Sequence, residues 1–258
     1  MFLLTNFILA VIFFTAIFLF FLEVKFLMPE FSERTQRIGL DKLREKNLQP
    51  FFENIYKNAG IEFERENEKN NQVAGIDIYF LNNGSKVNID EKAAAKYYYM
   101  DLKTFCLELS ACRKTQVGPV EYKGWFHDYN KDNLTQAYVF GYVRAEDIED
   151  NPLEKIDKLE VLLVKKSKLW KYITKCGYPS ADYLLGCFDE AEKFGKLKER
   201  NGCSYLYLDN GLKIVRTNYY GERPVCLLVS KEALIALSSF HATYEKENVE
   251  IHKTLKWK

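Results

Sequence analysis

The chain opens on an apolar block. Phe2 to Leu22 carries no charge and is built almost entirely of Phe, Leu, Ile, Val and Ala. Twenty-one such residues are enough to cross a bilayer as a helix. The block lacks a basic n-region and a small-x-small cleavage site, and it is too long and uniform for a secretory signal. Lys25, Arg34, Arg37, Lys42 and Arg44 follow it and nothing basic precedes it, which places the bulk of the chain on the cytoplasmic side as a single-pass anchored protein. The alternative is that Met28 starts the working protein. Residues 1–27 are then an upstream extension, and the protein is cytoplasmic.

Beyond this block the pattern alternates between two periods. Residues 40–59 read as an amphipathic helix, with Leu43, Phe51, Phe52, Ile55 and Tyr56 on one stripe and Pro50 breaking or starting a segment. Residues 62–71 are polar and read as a connector. Residues 76–90 alternate with period two about Asn83-Gly84, and Thr104 to Ser110 alternates again. Further strands are expected at 159–164, as a pair around 205–215 turning at Asp209-Asn-Gly211, and at 225–229. A lysine-rich helix follows the first of these and another helix starts at Lys231. Strands interleaved with helices predict an α/β domain with a mixed sheet. The acidic, proline-containing stretch 147–152 marks a soft boundary between 28–150 and 151–258. The second part either completes the first or reads a substrate.

The hairpin carries the chemistry. Asn83-Gly84 is a strong two-residue turn signal, because a type I′ turn needs positive φ at both central residues. With that turn Asn82 faces Ser85, and Asp77 falls opposite Asp90. One face then carries Gly75, Asp77, Tyr79, Asn88, Asp90 and Lys92; the other carries Ile76, Ile78, Phe80, Val87 and Ile89. A three-residue loop with a bulge would shift this pairing by one. Like charges at cross-strand distance, roughly 5 Å between Cβ atoms, repel. They coexist if one holds a proton or a cation sits between them. Carboxylate oxygens with water filling the remaining positions suit Mg2+. The plainer alternative is a solvated face on which Asp90 pairs with Lys92.

An Asp, a hairpin turn and an Asp-x-Lys on the next strand resemble the PD-(D/E)xK nuclease superfamily. The run Ile89-Asp-Glu-Lys-Ala93, with Leu102 to Ser110 and Gly124-Trp-Phe126, is similar to phage and bacterial proteins of that superfamily. The similarity covers roughly residues 70–145. Ile76 stands where the motif has proline. The resemblance implies a restriction-endonuclease-like core: a central mixed β-sheet flanked by helices, here preceded by the apolar N-terminal helix. It implies a Mg2+- or Mn2+-dependent nuclease acting on DNA, RNA being the lesser expectation. Asp77 and Asp90 are the implied metal ligands, and Lys92 the lysine that orients water or offsets phosphate charge. Glu108, the lone acid of the strand Thr104 to Ser110, is an optional fourth catalytic member; it equally reads as a surface residue. The opening helix of the superfamily sometimes adds an acid, and Glu53 is the candidate by position. Gln72 either contacts a phosphate or base or starts the strand.

Composition narrows the rest. Among 258 residues the formal net charge is +1, so nucleic-acid affinity must come from a local patch. Lys165, Lys166, Lys168, Lys171 and Lys175 form one lysine cluster; Lys193, Lys196, Lys198 and Arg200 form another, and either is equally a solvated face. Tyr97, Tyr98 and Tyr99 stack on bases or serve packing. The three His (His127, His241 and His252) form no His-x-x-x-His, and the six Cys form no Cys-x-x-Cys. Neither a phosphate-binding Gly-x-x-x-x-Gly-Lys loop nor a Gly-x-Ser-x-Gly elbow is present. A Cys–His nucleophile pair stays open. A non-cutting nucleic-acid-binding module of the same fold, or a membrane-anchored scaffold, are the remaining alternatives.

Overall fold

A computed structural model describes residues 39–115, 118–127, 133–217 and 223–255. The apolar block at 2–22 lies outside the described residues. Among those described, no helix is long and apolar enough to cross a membrane.

Helix α1 (39–58) buries Leu48, Phe52, Ile55 and Tyr56, the i, i+4, i+7, i+8 stripe of one helical face. Pro50 does not interrupt it. The turn before Pro50 is tied down from outside: Arg44 Nε donates to the Asn151 carbonyl at 2.8 Å and Asn47 Nδ2 to the Pro152 carbonyl at 2.9 Å. The turn after it is held by Phe52, Ile55 and Tyr56 in the core. Leu43, expected on the buried stripe, is exposed, and Arg44 is the buried neighbour.

Two sheets follow. The first runs β1 (Phe63–Arg65), β2 (Ile78–Asn82), β3 (Ser85–Ala93), β6 (Ala137–Arg144), β7 (Lys158–Lys165), β12 (Phe240–Glu245) and β13 (Asn248–Lys253). Its neighbours pair antiparallel except β3 with β6, which are parallel. The second runs β5 (Gly118–Lys123), β4 (Thr104–Thr115), β11 (Val225–Ser230), β10 (Lys213–Thr217), β9 (Cys203–Tyr207) and β8 (Lys198–Arg200), antiparallel throughout. The fold is therefore α/β with a large mixed sheet. Strands from both sides of residue 150 pair in each sheet.

The mixed sheet is buried on both faces. Under α1 it presents Ile78, Phe80, Ile89, Val139, Val161, Leu163 and Ala242. Its other face presents Tyr138, Phe140, Leu162 and Val164 to Leu107, Leu109, Ile214 and Leu227 of the second sheet. Helices α3 (Lys166–Lys175) and α4 (Ala181–Lys193) share that second core through Leu169, Ile173, Leu184 and Phe188. Strand β6 is central and buried from Ala137 through Val143. The stretch 62–71 is more ordered than a connector: it holds β1 and the start of helix α2 (Lys69–Val73), and Gln72 lies in that helix rather than opening a strand.

Gly141 in β6 faces α1 closely. A Cβ there would lie 2.7 Å from Phe52 Cζ and 3.3 Å from Leu159 Cδ1. Both neighbours are packed, so Gly141→Ala is expected to destabilise the protein by about 1–3 kcal/mol through overpacking. Guanidinium denaturation of the two proteins checks this; equal midpoints would show that α1 is not pressed against the sheet.

Candidate active site

The β2–β3 turn has positive φ at Asn83 (48°) and Gly84 (80°), the backbone of a two-residue type I′ turn. Asn82 pairs with Ser85 and Ile78 with Ile89. One step further, the Asp77 N–H donates to the Ile89 carbonyl at 2.9 Å, and Asp77 Oδ2 accepts from the Glu91 N–H at 2.8 Å. Asp77 therefore reaches β3 next to Asp90. Burial of Ile78, Phe80 and Ile89 beneath α1 turns Asp90 and Lys92 to the opposite face, beside Tyr138 and Phe140 of β6.

There the Asp90 carboxylate is only 1% exposed, and Lys92 Nζ lies 2.7 Å from its Oδ1. Lys92 keeps 30% of its side chain exposed and its ammonium stands 5.3 Å from the centre of the Trp125 ring. Burial pushes the Asp90 carboxyl up from 3.8 to about 7; Lys92 opposes this, while the Asp77 carboxyl adds to it. Burial alone would lower the Lys92 ammonium, but Asp90 and Asp77 outweigh it and raise it. The site thus brings two facing acids and one cation together, with Asp90 buried and Lys92 partly exposed.

The surrounding loops hold these groups in place. Gly75, at φ 81°, precedes Asp77, and a Cβ there would lie 2.6 Å from Thr135 Oγ1. Thr135 Oγ1 donates to the Gly75 carbonyl at 2.6 Å, and Asn133 Nδ2 to the Trp125 carbonyl at 3.0 Å. Trp125 is also carried by β4: Gly124 N–H bonds the Leu109 carbonyl at 2.8 Å and Phe126 N–H the Glu108 carbonyl at 3.0 Å. A Cβ on Gly124 would sit 2.3 Å from the Glu108 oxygen, so only glycine fits.

The sequence-predicted residues separate here. Asp77, Asp90 and Lys92 come together. Glu108 lies on β4 of the second sheet, where its charge acts on Cys226, and what it brings to the site is its backbone carbonyl under the Trp125 turn. Glu53 does not reach the site: it accepts from Arg65 Nε at 3.0 Å and lies 3.8 Å from Lys57. The α1 acid whose charge couples to the pair is Glu45: partial desolvation raises its carboxyl, Lys92 lowers it and Asp77 raises it, although the residue stays largely exposed. Glu45 sits on the exposed side of α1, and nothing local in the sequence sets it apart from its neighbours. Glu91, which no sequence signal marks, has a carboxylate that accepts from Tyr56 Oη at 2.6 Å and pairs with Arg65. Of the tyrosine run, Tyr98 is buried and donates to the Ile148 carbonyl, while Tyr97 and Tyr99 are exposed.

Among the described residues, no three His, Cys, Asp or Glu side chains gather as a metal-holding group. Compared with family models, with curated proteins and with solved structures, the chain matches none.

The raised Asp90 carboxyl fixes the sign of a pH effect. The unfolded chain ionises it near 3.8 and the folded chain near 7, so between these values the unfolded state binds fewer protons. This group therefore lowers folding stability as pH rises from about 4 to 7, by up to about 1.4 kcal/mol per unit. Denaturation curves across this range should show that fall, and Asp90→Asn should flatten it; identical slopes in both proteins would remove the buried carboxylate from the account.

Proposed function

We propose that this chain is a divalent-metal-dependent nuclease of the PD-(D/E)xK type, hydrolysing phosphodiester bonds in DNA. The observation that carries this reading is the convergence of Asp77 and Asp90 beside the Lys92 ammonium at one end of the β2–β3 hairpin. A solvated hairpin face would not bury Asp90 against a second carboxyl. That arrangement is unfavourable without a cation, and it is what a bound divalent ion would relieve. The order α1, antiparallel β1–β2–β3 and parallel β6 supports a restriction-endonuclease-like core around the pair.

Asp77 and Asp90 are the residues that would hold Mg2+ or Mn2+, with water and phosphate oxygens filling the positions two carboxylates leave open. When bound, the ion supplies Lewis-acid polarisation of the phosphate and a more acidic water. The chain's own groups do the rest. Glu91 N–H fixes the Asp77 carboxylate. Lys92, lodged between Asp90 and Trp125, orients the attacking water or offsets charge developing on the phosphate. Glu45 fills the place of the additional acid from the opening helix, and Glu108 is assigned to support of the Trp125 turn rather than to the metal.

Asp77→Ala, Asp90→Ala and Lys92→Ala should each slow Mg2+-dependent DNA cleavage by on the order of 100-fold or more while remaining folded. Glu108→Gln should stay within a few fold of the unaltered protein. At limiting Mg2+, cleavage should rise with pH through about 7, because the ion and a proton compete for the Asp90 carboxyl. Assays on single-stranded, double-stranded and branched DNA with Mg2+ and Mn2+ decide this. Absence of cutting on every substrate ends the proposal, and DNA binding without cutting would favour a non-cutting module.

A further inference from the structure

The far edge of the second sheet carries a feature the hydrolytic site does not use. On β9 side chains alternate: Ser204 and Leu206 turn to the core, while Cys203, Tyr205 and Tyr207 turn to the outer face. Tyr207 is 53% exposed. Two ammonium groups stand over its ring, Lys198 Nζ from β8 at 5.1 Å and Lys213 Nζ from β10 at 5.2 Å. Just before β8, Phe194 at the end of α4 is 60% exposed, with Lys196 Nζ at 5.6 Å and Lys193 Nζ at 6.0 Å from its ring.

Two of the acids nearby, Glu192 and Glu199, are occupied or turned away. Glu192 is bound to Arg216 through both oxygens. Glu199 alternates to the other side of β8 from Lys198 and Arg200, and its charge is felt at Arg216. Two exposed rings thus each carry two lysine ammonium groups: Tyr207 on the outer face of the sheet and Phe194 at the end of α4.

Large rings left in water beneath pairs of cations call for a ligand with both negative charge and flat apolar faces. A polynucleotide has both: phosphates for the ammonium groups, bases for the rings. A duplex hides its base faces, so the rings select an unpaired strand. Tyr205 and Tyr207, two residues apart on one strand, present their side chains roughly 7 Å apart, a spacing suited to successive splayed bases. An anionic lipid surface shares the charge preference but would favour an inserting amphipathic helix over a flat strand.

We infer that the outer face of β8–β10, with Phe194, binds single-stranded polynucleotide through Tyr207, Phe194, Lys193, Lys196, Lys198 and Lys213. This extends the nuclease reading to the form of its substrate. The two fail separately, because binding is measured in chelator without cleavage.

The test is fluorescence anisotropy of the full chain with labelled oligo-dT and oligo-U in EDTA, at 50 and 200 mM salt. Both single strands should bind, a hairpin duplex at least about tenfold more weakly. Tyr207→Ala and Phe194→Ala should each weaken binding about tenfold, and Tyr207→Phe should restore it. Replacing Lys193, Lys196 and Lys198 together by Ala should reduce the slope of log affinity against log salt by about 2. These positions are exposed, so the variants should keep the parent's melting temperature. No binding, equal affinity for duplex, ring variants that bind unchanged, or binding only to phosphatidylserine vesicles would each overturn the inference. A protein that binds the strand but cuts nothing keeps it and ends the hydrolase; one that cuts duplex yet ignores the strand does the reverse.

Discussion

The register of the β2–β3 hairpin is the constraint on which the site depends. It is set twice, by a turn whose two central residues both take positive φ and by the burial of Ile78, Phe80 and Ile89 under α1. Because side chains alternate, a slip of one residue would send every one of them to the other face. Asp90 and Lys92 would then meet Tyr56, and Glu91 would meet Trp125. The packing of Phe52 and Tyr56 on Phe80 and Ile89 therefore decides the chemistry of a face it never touches.

Neighbouring acids on β3 show what that face does. Glu91, 9% exposed against 1% for Asp90, has a carboxylate that accepts from Tyr56 and pairs with Arg65. It is a strut between α1, β1 and β3, satisfied as a buried polar group must be. Asp90 is opposed by Asp77 and held by Lys92 alone among its charged neighbours. Burial raises both carboxyls and the Asp77 charge adds to each, but Glu91 is offset by Arg65 and Tyr56, whereas Asp90 is offset by Lys92. Structural acids are surrounded by donors. A carboxyl pressed against another carboxyl is the arrangement in which a proton or a metal ion has the largest effect.

Much of this was legible before any coordinates. Asn83-Gly84 gave the register, and period-two alternation gave β4, with Phe105, Leu107 and Leu109 all turned inward. The misses have local causes. The β12–β13 turn places Lys246 and Glu247 at φ 51° and 65°, residue types that carry no turn signal. Strand β6 is buried on both faces, so it has no alternation to detect. Strand β1 spans only Phe63–Arg65 and is held by pairing to β2 rather than by its own pattern. Telling Glu45 from Glu53 requires the lie of α1 across the sheet, which periodicity alone does not supply. Pro50 reads as breaking or starting a segment because the ties from Arg44 and Asn47 to residues 151–152 come from over 100 positions away.

The same non-local dependence reaches the lysine. Lys92 belongs to the mixed sheet, but Trp125 beside it is presented by the second, through Gly124 and Phe126 on the backbone of β4. Strand β4 is in turn paired to β11, which follows in sequence by about a hundred residues. Asn133 and Thr135 close the arrangement by clasping Trp125 and Gly75 together. The two acids and the lysine can be brought close by the hairpin alone, since their spacing is local. Their enclosure cannot: it exists only once both sheets are docked, because the aromatic wall and the clasp are tied to strands on either side. A hairpin excised from this fold would keep the motif and lose the burial that raises Asp90. The motif supplies the groups, and the packing of one sheet on the other supplies the environment that changes their protonation.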